Sequence, residues 1–63
     1  MQPEDLARPA EVAEHLHTTE ARLAQMRYLG TGPRFVKIGR TVLYRWSDIR
    51  DYLDANTHQQ THN

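Results

Sequence analysis

The stretch FVKIGRTVLYRW, residues 35–46, decides the fold that this sequence predicts. Phe35–Ile38 and Thr41–Trp46 are rich in the β-branched and aromatic residues that favour strands. Gly39 separates the two runs, and glycine at the first central position is typical of the type II′ turn between antiparallel strands. The stretch therefore predicts a β-hairpin with Gly39-Arg40 at its tip. Because an isolated two-stranded hairpin is marginal in water, it is expected to lie against helices.

The residues before the hairpin predict two helices. The first is expected to begin near Pro9, because proline is favoured at the first helical position. The second is expected over residues 20–29, with Thr18 or Thr19 as its N-cap and a left-handed Gly30 after its last turn. Apolar spacing turns Leu23 and Met26 inward and leaves an outer face of small, polar and basic residues, namely Ala21, Arg22, Ala24, Gln25 and Tyr28.

The residues after the hairpin predict one more helix and a tail. Ser47 is expected to cap a helix over DIRDYLDA, residues 48–55, while residues 56–63 have no apolar periodicity and are expected to form a disordered polar tail. A chain of 63 residues makes one domain, here residues 1–55. The order helix, tight turn, helix, hairpin, helix predicts a mostly α fold with a small β-hairpin, a winged helix-turn-helix whose hairpin is the wing. Its aromatic core is expected from Phe35, Tyr44, Trp46 and Tyr52.

Charge is strongly segregated along a chain whose formal net charge is +0. Residues 1–20 contain five acids and one base, and residues 47–63 contain three acids and one base. Residues 21–46 contain no acid and six bases: Arg22, Arg27, Arg34, Lys37, Arg40 and Arg45. A local basic patch with several arginines is the electrostatic footprint of a nucleic-acid-binding protein, although charge runs also occur on ordinary solvated faces.

The same composition argues against other classes of function. There is no cysteine, so neither a disulfide framework nor a thiolate nucleophile or ligand is available. The sole serine, Ser47, is read as a helix cap, and neither a nucleophile–base pair nor a glycine-rich phosphate loop is visible. We therefore expect that the protein is not an enzyme, that the four histidines form no metal site and that no cofactor is bound. The absence of a signal peptide or a long apolar run predicts a cytoplasmic protein with no membrane contact.

Two longer stretches resemble a known family. PAEVAEHLHTTEARLAQMRYLG (residues 9–30) followed by RFVKIGRTVLYRWSDIRDYL (residues 34–53) is similar to the MerR-like winged helix-turn-helix of excisionases and related small regulators. The resemblance covers roughly residues 6–54, and its most specific motifs are KIGR at the hairpin turn and SDIRDYL in the last helix. Excisionases are phage recombination directionality factors that bind beside an attachment site, bend the DNA and help integrase to excise. The resemblance implies the same activity here.

The fold assigns the second helix to the major groove of DNA. Arg22 can pair with the O6 and N7 atoms of guanine, and Gln25 with the N6 and N7 atoms of adenine. Glu20 either accepts from the N4 atom of cytosine or only favours the positive helix N-terminus, and both readings stay open. The predicted major-groove set is Thr19, Glu20, Ala21, Arg22 and Gln25.

The hairpin tip is assigned to the minor groove. That groove is about 6 Å wide, so it admits an arginine side chain but not a helix, and its negative potential attracts cations. The predicted minor-groove set is Lys37, Gly39, Arg40 and Thr41. Side chains beside the two reading elements are expected on phosphates: Thr18, Arg27, Tyr28, Arg34 and Arg45.

The leading hypothesis is therefore an excisionase that acts by DNA architecture. Its expected partners are the double-stranded DNA of an attachment-site arm, an integrase, and further copies of itself that assemble cooperatively on DNA. One alternative is a small MerR-like or AlpA-like transcription regulator that uses the same DNA surface. A second alternative, of another class, is a protein-interaction module whose basic face binds an acidic partner.

Overall fold

The structure is a computed structural model that describes residues 5–58. Within that range it has three helices and a three-stranded antiparallel sheet, and about half of the described residues are helical. The elements in chain order are β1 (Leu6–Ala7), α1 (Pro9–His15), α2 (Glu20–Leu29), β2 (Val36–Ile38), β3 (Thr41–Arg45) and α3 (Trp46–Ala55). This architecture is compatible with a winged helix-turn-helix.

Strands β2 and β3 form the predicted hairpin. Ile38 lies opposite Thr41, so only Gly39 and Arg40 make the turn. The φ angle of Gly39 is 61°, whereas Arg40 is not among the residues with positive φ. Positive φ at the first central position alone identifies a type II′ turn, and the predicted turn type is confirmed.

Strand β1 corrects the prediction of a sheet that consists of the hairpin alone. Leu6 pairs with Arg45 and Ala7 pairs with Tyr44, which gives the strand order β1-β3-β2 and places β3 in the centre. A strand of two residues is too short to show the alternation by which strands are recognised in sequence. Strand β1 nevertheless contributes to the core, because Ala7 is 1% exposed.

The turn between α1 and α2 is built from backbone hydrogen bonds. The amide of Thr18 donates to the carbonyl of Ala13 at 2.8 Å, and that of His17 to Glu14 at 3.2 Å. This pair of bonds is the Schellman motif, with His17 in the left-handed position at φ 58°. Thr19 then caps α2, since its hydroxyl oxygen accepts from the amide of Arg22 at 3.0 Å.

The end of α2 repeats the Schellman motif with the predicted glycine. Gly30 has φ 71°, its amide donates to the carbonyl of Arg27, and the amide of Thr31 donates to Met26. Glycine adopts this conformation without steric cost. The predicted bounds of α2 are therefore confirmed, and Pro9 likewise begins α1 as predicted.

The predicted start of α3 was wrong. The helix begins at Trp46, directly after β3, with Arg45 in the N-cap position, so Ser47 lies inside the first turn. No loop separates strand from helix, and the strand-like run of residues 41–46 therefore conceals the boundary. At the other end, Asn56 and Thr57 donate side-chain hydrogen bonds to the last-turn carbonyls of Tyr52 and Leu53, at 2.8 and 2.6 Å. Of the predicted polar tail, residues 59–63 lie outside the described residues.

The core lies between β3 and the three helices. Its fully buried members are Ala7, Val12, Ala13, Leu23, Tyr44 and Ile49, and partly buried apolar residues surround them, namely Leu16, Met26, Val42 and Trp46. Tyr44 is the largest of the buried side chains. Of the four predicted core aromatics, Trp46 and Tyr52 are half-buried, whereas Phe35 is 40% exposed. No helix of the described residues is both long and apolar enough to cross a membrane.

Candidate nucleic-acid interface

The outer face of α2 is exposed as predicted. Leu23 is fully buried and fixes the rotation of the helix about its axis. The predicted major-groove residues, Thr19, Glu20, Ala21, Arg22 and Gln25, are all exposed. Four of them line one shallow depression at the start of α2 together with His17 and Thr18. The structure thus gathers most of the predicted set on one surface.

The composition of this face allows a close approach. Ala21 lies on this exposed face, and its methyl group keeps the helix surface low there. Arg22 and Gln25 are three residues apart, so they lie on the same side of the helix, one turn from each other. Their long side chains can therefore reach the same strip of an opposing surface.

The hairpin tip presents a thin, cationic projection. Lys37, Gly39, Arg40 and Thr41 are all exposed. A Cβ atom placed on Gly39 would meet no atom within 4 Å, so the turn has open space around it. Ile38, next to the turn, is 60% exposed. The width of the tip is therefore that of two extended strands with basic residues on either side of the glycine.

The predicted phosphate-contact residues fall into two groups. Tyr28 is 89% exposed, and Arg34 and Arg45 are also exposed. One guanidinium nitrogen of Arg45 lies 3.4 Å from a carboxylate oxygen of Asp48, a surface ion pair three residues apart. Such pairs contribute about 0–1 kcal/mol, so this one leaves Arg45 free to bind an external anion. Thr18 is half-buried in the turn before α2.

Arg27 differs from the other predicted phosphate contacts. It is half-buried, and its Nη1 atom donates a hydrogen bond to the hydroxyl oxygen of Tyr44 at 2.8 Å. Its guanidinium carbon lies 5.8 Å from the ring centre of Phe35 and 6.0 Å from that of Tyr44. Sequence reasoning missed this contact, because Arg27 and Tyr44 are 17 residues apart and no local pattern links them.

An open groove lies between α2 and α3, next to the exposed face of α2. Its volume is about 530 Å³, and its apolar walls include Leu16, Met26, Leu29, Tyr52 and Leu53. Leu29 and Leu53 are 58% and 41% exposed. Within residues 5–58, no three His, Cys, Asp or Glu side chains are grouped so as to hold a metal ion.

A scan against protein-family models finds no match to this chain, and a search of the curated proteins finds no relative. The candidate interface is therefore described from the geometry of residues 5–58. It consists of a capped helix with a low, polar face and a hairpin with a thin basic tip, both on elements that share one core.

Proposed function

We propose that this protein is a winged helix-turn-helix excisionase: a non-catalytic, sequence-specific protein that binds and bends DNA and directs a phage integrase toward excision. The observation that carries the proposal is the pairing of two exposed elements on one core. One is the face of α2 that contains Ala21, Arg22 and Gln25, and the other is the hairpin tip at Gly39-Arg40. A helix and a narrow ribbon fit the two grooves of B-DNA, which differ in width by about a factor of two.

In this proposal α2 reads base edges. The major groove admits a helix, and Arg22 and Gln25 supply the side-chain types that make paired hydrogen bonds to guanine and adenine. The N-cap at Thr19 and the left-handed Gly30 fix both ends of the helix, so little order has to be gained on binding. Each good paired contact discriminates against a wrong base by about 1–3 kcal/mol.

The hairpin reads groove shape and charge. Arg40 occupies the second position of a two-residue turn, so the guanidinium is carried at the extreme of the projection. Narrow minor grooves have the most negative potential, which favours an inserted arginine. Contact of this kind depends on charge and groove shape rather than on base identity, so it anchors the protein on many sequences.

Excision requires that DNA be bent and presented to the integrase. Bending a site of 20–30 bp by 40–90° costs about 1–6 kcal/mol, which is a large demand on one domain of 63 residues. Several copies on adjacent sites divide this cost among them. The proposal therefore includes cooperative binding of more than one copy to an attachment-site arm.

The first test is the salt dependence of DNA binding. Five of the six bases in residues 21–46 are exposed: Arg22, Arg34, Lys37, Arg40 and Arg45. If these five cations together neutralise about five phosphate charges, the slope of log K against log[salt] is expected to be about −4 to −5. Fluorescence anisotropy with a short duplex at several salt concentrations measures it. A slope shallower than about −1 contradicts DNA binding through this surface and favours a protein-interaction module.

The second test is recombination itself. Purified protein, its proposed integrase partner and a plasmid with both attachment-site halves are expected to give excision, and omission of the protein is expected to abolish it. Gel-shift ladders and circular-permutation gels on the same fragment are expected to show successive complexes and a bend. A single unbent complex without any effect on recombination contradicts the excisionase and favours the transcription regulator.

A further inference from the structure

We propose that Arg27 is a positioning residue that locks the hairpin to α2 through Tyr44, so that the two reading elements approach DNA as one rigid unit. The proposal concerns the internal mechanics of the domain. Its DNA-binding consequences rest on the proposed function, whereas its structural consequence can be measured on the free protein.

The contacts reach both sides of the hairpin. Arg27 lies in the last turn of α2 and donates to the hydroxyl of Tyr44 on β3 at 2.8 Å. The same guanidinium lies 5.8 Å from the ring of Phe35, the residue before β2. The rings of Phe35 and Tyr44 are themselves 6.4 Å apart. One side chain of α2 therefore contacts the base of both strands.

The remaining packing explains why this bridge is needed. The hairpin packs on the rest of the domain mainly through β3, which contacts β1, α1 and α3. Helix α2 packs mainly against α1. Helix α2 and the hairpin are thus held together chiefly through the other elements of the domain, and Arg27 supplies a direct connection between them.

The chemistry suits a rigid connection. A hydrogen bond from a charged donor is stronger than a neutral one, and this bond is half-buried. The planar guanidinium can also stack on aromatic faces, which a lysine ammonium does not do in the same geometry. Tyr44 is 0% exposed, so its hydroxyl needs a hydrogen-bond partner within the protein, and Arg27 provides one.

The competing role is the phosphate contact that the sequence suggested for Arg27. The two roles differ in what a lysine can replace. Lysine is an effective phosphate ligand as a point charge, so Arg27→Lys preserves DNA affinity if Arg27 contacts a phosphate. If Arg27 acts as the lock, the same substitution lowers affinity, because the fork and the stacking on the rings are lost.

The experiment compares two tyrosines that each lose only a hydroxyl. Tyr44→Phe removes the acceptor of the Arg27 bond. The matched control is Tyr52→Phe, which removes the hydroxyl that lies 3.8 Å from the sulfur of Met26. That contact also reaches α2, but it connects the helix to α3 rather than to the hairpin.

The first measurement is amide hydrogen exchange by NMR on the free, full-length variants. In Tyr44→Phe the hairpin amides of residues 37–42 are expected to exchange at least about threefold faster relative to the α1 amides. The reason is that a loosened hairpin opens locally more often, while the rest of the domain stays folded. Tyr52→Phe is expected to leave that ratio unchanged. Equal ratios in both variants and the wild type overturn the proposal, and normalisation to α1 removes any general loss of stability.

The second measurement is a double-mutant cycle on DNA. Arg40→Ala is expected to weaken binding by a smaller factor in the Tyr44→Phe background than in the wild type, by at least about threefold, because a loosened hairpin contributes less to binding. With Tyr52→Phe the two effects are expected to multiply independently. Independent effects with Tyr44→Phe, or full affinity in Arg27→Lys, overturn the lock. A wild-type protein that binds no DNA overturns the proposed function, and hydrogen exchange then decides the lock alone.

Discussion

Helix α2 and the hairpin form the two parts of the proposed DNA surface, and they are held in place by different means. The helix is fixed along its whole length by the Thr19 cap, the buried Leu23 and the left-handed Gly30. The hairpin extends away from the core, and in β3 only Tyr44 is fully buried. Rigidity is thus distributed along the helix but concentrated at the base of the hairpin.

This difference fits the two tasks proposed for these elements. Hydrogen bonds to base edges are directional, so the residues that make them have to be held in a defined orientation. Contact with a groove by charge and shape is less directional, and a projecting ribbon satisfies it if its base is fixed. The orientation of the hairpin therefore depends on one buried residue, Tyr44. Three residues, Thr19, Leu23 and Gly30, fix the orientation of the helix.

The first prediction removes these anchors and has the largest effects. Tyr44→Ala is expected to destabilise the domain by about 3–5 kcal/mol and Leu23→Ala by about 2–5 kcal/mol, as large cavities in a core do. Domains of this size rarely have more than about 3–5 kcal/mol of stability, so Tyr44→Ala is expected to be largely unfolded. Urea denaturation followed by circular dichroism measures both. Tyr28→Ala at an 89% exposed site is the control and is expected to change stability by at most about 0.5 kcal/mol.

The difference in anchoring also explains which structural features could be predicted from the sequence. Caps and glycines are local signals, so the bounds of α2, the start of α1 at Pro9 and the hairpin turn at Gly39 could all be predicted. The exposed face of α2 followed from helical spacing. The pairing of β1 with β3 and the Arg27–Tyr44 bond could not be predicted, because both depend on contacts between distant parts of the chain.

The start of α3 shows a different kind of limit. Local patterns made Ser47 an attractive N-cap, yet β3 passes straight into the helix at Trp46. Packing decides this boundary: Tyr44 and Ile49 are both buried, and Trp46 packs against the core with its ring 5.0 Å from that of His15. Tertiary contacts therefore override the capping preference at this point.

The second prediction separates reading from anchoring. Arg22→Ala is expected to cost about 1–3 kcal/mol on the specific site and to relax the sequence preference at one position. Arg40→Ala is expected to weaken specific and random DNA by similar factors and to make the salt slope shallower by about one unit. Anisotropy titrations with both DNAs give the ratio of affinities for each variant. If Arg40→Ala abolishes that ratio while Arg22→Ala preserves it, the two elements have been assigned the wrong way round.

The third prediction tests the backbone of the hairpin tip. Gly39→Val is expected to destabilise the protein by about 1–2 kcal/mol or more, because the φ of 61° is unfavourable for an L-residue and most of all for a β-branched one. There is open space around Gly39, so the cost comes from backbone conformation rather than from a clash. Gly39→Asn is the comparison, since asparagine is among the residues found at positive φ in primed turns and is expected to lose less stability than valine. Equal losses of stability in the two variants would argue against a conformational origin.

The smallest effects are expected at Thr19, where capping and the proposed DNA contact coincide in one side chain. Its hydroxyl oxygen accepts from the amide of Arg22 at 3.0 Å, and its O–H remains able to donate to a phosphate or a base. Thr19→Ala is expected to cost about 1 kcal/mol of stability through loss of the cap. Thr19→Asp keeps the acceptor and adds a negative charge that suits the helix N-terminus, so its stability is expected to match that of the wild type. Its DNA affinity is expected to fall, because the donor is lost and the new charge faces phosphate. Thr19→Ser is expected to keep both properties. Thermal denaturation and anisotropy on the three variants give the comparison, and full DNA affinity in Thr19→Asp would place the start of α2 away from the DNA.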